Sequence, residues 1–242
     1  MAGLFPQRNF RLRTVAASAA LCLSLVQGGC GRHAQSALPF RVPPARHTVV
    51  ALGDSLALGI GASDPSRGFM FALYNTLLAR DPGAQITNYA VSGARVDDLL
   101  HFELPRAERE RATDIWICAG GNDVTHATDV SRFSSQYTAL LHAVRRRWPN
   151  AHIVVFGVPD VSRSPLFTGT SRAELHERAR TDDDEARRAA AGVGAAFVDL
   201  FALGKRIDPA RDLSADNFHP NDAGYAAIAQ YAQPVVLRAL FQ

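Results

Sequence analysis

Lysine is all but missing from this chain. Lys205 is the only one among 26 lysine and arginine residues. Set against so much alanine, that is a compositional bias and points to no partner. Net positive charge is scarce too. The formal charge is +3, and the acid-free first 13 residues hold Arg8, Arg11 and Arg13, so the remainder sums to 3 − 3 = 0. No clustered basic face is left, and nucleic acid is not an expected partner. Cysteine is limited to Cys22, Cys30 and Cys118, with no Cys-x-x-Cys pair. Neither a zinc knuckle nor an intramolecular disulfide is expected. Cys118 sits in an apolar run, where a thiol behaves as a small hydrophobe. His101, His126, His142, His152 and His176 have no ligand-like spacing with one another. Asp182-Asp183-Asp184-Glu185 lacks the glycine and ligand spacing of a calcium loop and reads as a solvated helix face. Internal repeats are absent, as is the Gly-x-Ser-x-Gly nucleophile elbow.

What is present divides the chain in three. Residues 1–29 read as an export signal: basic residues first, then an apolar stretch over 14–26, then Gln27-Gly28-Gly29-Cys30. That stretch is too short for a comfortable membrane span. Gly28-Gly29-Cys30 resembles a bacterial lipobox, which makes Cys30 the candidate lipid attachment and membrane tether. Gln27 departs from the aliphatic residue expected there. Residues 30–46 hold Pro39, Pro43 and Pro44 without periodicity and read as a linker. Residues 47–242 form the domain. No feature of it specifies an oligomer.

Within the domain, strand-like and helix-like segments alternate. Strands are expected at Val49–Leu52, Ile86–Val91, Ile115–Ala119, Ile153–Val158 and Ala196–Leu200. Helices are expected at Phe69–Ala79, Val96–Phe102, residues 132–147 and 171–191, and Ala223–Leu240. This alternation predicts an α/β fold with a parallel sheet covered on both faces. In such a sheet the strand carboxyl ends share one edge, where ligands bind. Ser55, Gly93 and Asn122 each follow a different strand, so the fold brings them to that edge.

Val49-Val50-Ala51-Leu52 runs directly into Gly53-Asp54-Ser55. A serine hydroxyl is a weak nucleophile until a base takes its proton. His219 lies in a loop before the last helix, and Asp216 stands three residues ahead of it. That spacing allows the carboxylate to orient the imidazole, though it also suits a simple helix cap. Backbone N–H groups at Ser55 and Gly93 and the Asn122 amide are candidate donors to a developing oxyanion. Each feature alone has an ordinary structural reading as a turn or cap.

Their order removes much of that ambiguity. Leu52-Gly53-Asp54-Ser55-Leu56, Gly93, Gly120-Gly121-Asn122-Asp123 and Asp216-x-x-His219-Pro220-Asn221 together resemble the blocks of the SGNH, or GDSL-type, hydrolases. Gly157-Val158-Pro159-Asp160 is similar to the segment after that family's fourth strand. The resemblance implies a three-layer α/β/α sandwich, flavodoxin-like, on a five-stranded parallel sheet. It implies Ser55 as nucleophile, His219 as base and Asp216 as its orienter. The oxyanion hole would be Ser55, Gly93 and Asn122, with no metal and no cofactor. Asp54 belongs to the motif and carries no proton-transfer role. The expected activity is that of an exported serine esterase or lipase acting on small-molecule or lipid esters, thioesters and lysophospholipids included. The alternatives are O-deacetylation or acyl transfer on envelope carbohydrate or peptidoglycan and, further off, an inactive binding scaffold. Residues 160–171, with Leu166-Phe167, are expected to wall or lid the acyl pocket.

Overall fold

A computed structural model describes residues 45–241. The expected leader, Cys22, Cys30 and most of the linker lie outside the described residues. Five strands form one parallel sheet in the order β2-β1-β3-β4-β5. They are β1 (Thr48–Gly53), β2 (Gln85–Asn88), β3 (Asp114–Cys118), β4 (His152–Phe156) and β5 (Ala196–Val198). Four long helices cover it: α1 (Phe69–Leu78), α2 (Val130–Arg147), α3 (Gly169–Gly192) and α4 (Asp222–Phe241).

Strand alternation sorts the core into two layers. Val50, Leu52, Ile115, Ile117, Ile153 and Val155 face one way, against residues 96–107, α2 and α3. Val49, Ala51, Trp116, Val154 and Phe156 face the other way, against α1 and α4. Every strand residue from Val49 to Gly53 and from Asp114 to Cys118 is buried. Such near-continuous apolar runs are what a sheet covered on both sides requires. Strand order reverses between β1 and β3, so the end of β1 stands at the topological switch point.

Four expectations need correction. β2 ends at Asn88 rather than Val91. There Asn88 turns inward, its Nδ2 donating to Ala57 O at 2.9 Å and its Oδ1 accepting from Ala90 N–H. β5 ends at Val198, because Asp199 caps the short helix Leu200–Gly204 by accepting from Ala202 N–H at 2.7 Å. The helix expected over Val96–Phe102 continues to Ala107 through a π-helical stretch, Leu99–Glu103. Pro105 does not stop it, because it opens a new turn where its missing N–H costs nothing. The acidic run on α3 is not a solvated face: Asp182 and Asp183 are buried. Asp183 accepts from Val158 N–H at 2.9 Å and pairs with Arg187, which ties α3 to the end of β4. Burial raises Asp182 to about 7 and Asp183 to about 6.

Pro234 sits within α4. Cys118 is a free, buried thiol. Among the described residues, no helix is long and apolar enough to cross a membrane.

Candidate active site

Gly53 ends β1 at φ +155°, and a Cβ there would lie 2.3 Å from Cys118 O. Only glycine lets β1 approach β3 this closely while turning outward. Asp54 follows as the cap of the short helix Ser55–Leu58, its Oδ1 accepting from Leu56 N–H at 2.9 Å. Ser55 thus opens a helix at the sheet edge, its side chain held rather than free to rotate into solvent. Burial pushes the Asp54 carboxyl up to about 7, aided by the charge of Asp123 and opposed by its backbone hydrogen bonds.

The base comes from the opposite end of the chain. Asp216 closes a tight turn around itself. Its Oδ1 accepts from Phe218 N–H, His219 N–H and Ser214 Oγ, at 2.8, 2.9 and 2.8 Å. Asn217 takes the left-handed conformation that this turn needs, at φ +58°, and asparagine is among the few residues that tolerate it. Oδ2 is then left facing His219 Nδ1 at 2.6 Å. Burial alone would raise the Asp216 carboxyl. The bonds from His219, Phe218 and Ser214 outweigh it and hold the group well below the usual carboxylate range.

A carboxylate only accepts, so Nδ1 carries the ring proton and Nε2 of the neutral ring is an acceptor. Ser55 O–H donates to that Nε2 at 2.9 Å. Ser55, His219 and Asp216 therefore form one hydrogen-bonded chain across 164 residues of sequence. The ring itself is only 19% exposed, and the Phe218 ring meets it edge-on.

Asn122 lies in the short helix Gly121–Thr125 after β3, whose Gly120 cap has φ +118°. Its Nδ2 donates one hydrogen to Ala94 O at 3.0 Å, leaving the second available. That bond draws the β2 loop, with Gly93 at φ +83°, against the β3 loop. Asn122 and Ser55 line the same apolar cleft as His219, and Gly93 is not part of its wall.

The segment 160–171 walls the cleft in part, as expected: Asp160, Val161, Arg163 and Ser164 line it, but Leu166 and Phe167 do not. Leu166 is 58% exposed, and Phe167 packs on Phe218 instead. The apolar floor is Leu200, Leu203, Ile207, Leu213, Phe218 and Ile228, mostly from the segment between β5 and α4. Phe218 lies inside the Asp216-x-x-His219 block, but no motif in the sequence marks Leu203, Ile207 or Leu213 as pocket.

Two supporting residues were equally unmarked. Gly61 has φ +94°, and a Cβ there would stand 2.8 Å from His219 Cβ and 2.6 Å from Pro220 O. It is the space into which the histidine loop seats. Glu103 is 1% exposed, and its Oε2 accepts from Gly53 N–H at 2.8 Å, directly beneath the nucleophile turn. Burial raises it to about 8, helped by the nearby Asp54 charge.

Solved structures share this arrangement of elements. Psychrotrophic esterase EstA from Pseudoalteromonas sp. superposes with a TM-score of 0.64 at 18% identity, over 81% of this chain and all of its own, at 100%. An extracellular lipase from Streptomyces rimosus gives 0.58 at 23% identity, over 80% of this chain and 99% of its own. Axe2, an acetyl xylan esterase from Geobacillus stearothermophilus, gives 0.56 at 20% identity, over 82% and 96%. At these identities the likeness establishes the fold. No curated protein matches the chain in sequence. Residues 51–227 match the GDSL-like lipase/acylhydrolase family, a span that contains Ser55, Asn122, Asp216 and His219, so this chain belongs to that family of carboxylic ester hydrolases.

Proposed function

We propose that this protein is an exported serine esterase that cleaves esters or thioesters of aliphatic acids through an acyl-enzyme on Ser55. The observation that carries the reading is the unbroken Ser55–His219–Asp216 hydrogen-bonded chain at the mouth of an apolar cleft. His219 Nε2 takes the hydroxyl proton as Ser55 Oγ attacks the acyl carbon. Asp216 holds the ring and offsets the charge it gains. The oxyanion is met by the Ser55 and Gly93 N–H groups and the second Asn122 hydrogen, worth most in a site closed to water. His219 then gives its proton to the leaving oxygen or sulfur, and water repeats the cycle on the acyl-enzyme. The acyl chain lies along Leu203, Ile207 and Leu213.

Export rests on the Arg8, Arg11 and Arg13 cluster followed by the apolar stretch over 14–26. Cys30 would tether the mature protein if it is lipidated after cleavage.

A second reading keeps the mechanism and makes the substrate an acetylated envelope glycan. It is favoured by a second groove, lined in part by Ser162, Arg172 and His176, which shares Asp160, Arg163 and Pro209 with the apolar cleft. A sugar alcohol could lie there while an acetyl group meets Ser55.

A fluorophosphonate probe tests the first step. EstA, on the same fold, is described as inhibited by monoethylphosphonate. The folded protein should label on Ser55, and Ser55→Ala should lose both labelling and hydrolysis of a p-nitrophenyl ester. A folded preparation that never labels overturns the proposal. Cleavage of acetylated glycans with no turnover of longer acyl esters selects the second reading.

A further inference from the structure

The pole of the sheet opposite Ser55 holds a second cluster of chemically capable side chains. His47 precedes β1, Asp114 opens β3 and His152 opens β4. Parallel pairing sets Asp114 directly beside His152 and beside Val49, two residues beyond His47. Side chains two apart on a strand share a face, so all three project toward the face covered by α1 and α4. Three adjacent backbones thereby bring three side chains to one point, two from strand starts and His47 from the residue just before β1.

The geometry there is tight. His47 Nδ1 lies 2.9 Å from Asp114 Oδ2, and His152 Nδ1 lies 2.9 Å from Asp114 Oδ1. One nitrogen from each ring and one carboxylate oxygen all lie within 4.8 Å of one another. Asp114 is fully buried. A buried carboxylate needs compensating charge or hydrogen bonds, and among the described residues no lysine or arginine supplies it. Its third partner is Thr113 Oγ1, which donates to Oδ2 at 2.6 Å and fixes the carboxylate plane. Outer partners of this kind commonly orient ligating groups at metal centres. The Phe241 ring packs on His47 at 5.0 Å, while the His152 ring is 45% exposed and leaves a way in.

We propose that His47, Asp114 and His152 form a divalent transition-metal site that takes zinc. Two imidazoles and one carboxylate are a borderline donor set suited to it, with water completing a tetrahedral shell from the His152 side. Binding removes the Nδ1 proton from each ring. A neutral ring moves its one proton from Nδ1 to Nε2 by exchange with solvent, and a charged ring keeps its Nε2 proton and releases the Nδ1 proton to solvent. One cation then replaces two hydrogen bonds and joins β1, β3 and β4 at their amino ends. β1 is six residues long, about 20 Å at strand rise, so this site stands apart from the ester chemistry and does not rest on it.

Calorimetric titration of the EDTA-stripped full chain with zinc chloride tests this, beside melting with and without zinc. The expected result is one zinc per chain and a zinc-dependent rise in Tm. His152→Gln should bind about 100-fold more weakly and lose the Tm response, because a whole ligand is gone. His152 is half exposed, so this variant keeps its fold, and His47→Gln repeats the test from the buried side. Equal affinity in the wild type and both variants would mean surface histidines bind the zinc, and would overturn the proposal. So would the absence of saturable binding by the wild type below about 100 µM zinc, which would leave the three side chains as a hydrogen-bonded clamp.

Discussion

Glu103→Gln should change how stability depends on pH, and the structure sets the size of the effect. Glu103 is 1% exposed and supports Gly53 N–H through Oε2, while its Oε1 has no hydrogen-bond partner. Its carboxyl ionises near 4.5 in the open chain and near 8 in the folded protein, chiefly because of burial. Between those values the folded state keeps a proton that the unfolded chain has released. Stability therefore falls as pH rises from about 4.5 through about 8, and below that window Glu103 imposes no such loss. At about 1.4 kcal/mol per pKa unit the full penalty would approach 5 kcal/mol. Relaxation and water entry around the charged form reduce it, so about 2–4 kcal/mol is expected between pH 5 and pH 9. Glutamine keeps an oxygen for Gly53 N–H and cannot ionise. Urea unfolding at a series of pH values reads the difference directly. The variant should match the wild type within about 1 kcal/mol near pH 5 and exceed it by about 2–4 kcal/mol at pH 9. Asp54, Asp182 and Asp183 also have raised values, but they titrate in both proteins and largely cancel. Parallel pH curves for the two proteins would refute the burial argument.

Three further outcomes test the site. Asn122→Ala should lower kcat by about 10²–10³ with KM little changed, as expected for a donor used only in the transition state; a loss under tenfold in a folded variant would remove Asn122 from the oxyanion hole. Gly61→Ala forces a Cβ into the His219 loop and should slow fluorophosphonate labelling of Ser55 while costing about 1–3 kcal/mol of stability; unchanged labelling would show that the loop seats elsewhere. Leu203→Trp fills the apolar floor and should cut the octanoate-to-acetate rate ratio on p-nitrophenyl esters by tenfold or more, about 1.4 kcal/mol in selectivity; an unchanged ratio would place the acyl chain outside this cleft.

What the sequence made legible was local. Val49–Leu52, Ile115–Cys118 and Ile153–Phe156 are continuous apolar runs because both their faces are covered. Ser55, Asn122, Asp216 and His219 are visible because each sits beside turn formers at an element's end. What escaped depends on which residues meet across the fold. Asp182 and Asp183 look solvated until α3 is laid on the sheet. Leu166-Phe167 looks like pocket wall, whereas Leu203, in the short helix after β5, and Ile207, just beyond it, are the wall. His47 and His152 are 105 positions apart (152 − 47), and only strand register brings both to Asp114. Glu103 is hidden inside a π-helical stretch that apolar periodicity does not describe.

The Asp216–His219 pair assembles entirely within its own turn, so orienter and base need no distant segment to find each other. Only their docking onto Ser55 is long-range. That docking is held by Ser164 Oγ donating to Asn217 O at 2.7 Å and by the hollow at Gly61. Activity therefore depends on the seating of this one loop. A local opening of this loop would silence the serine while leaving the sheet, the cleft floor and the Asp–His bond intact. Hydrogen exchange at Phe218 and His219 N–H, set against labelling rate, would measure how often the loop is seated.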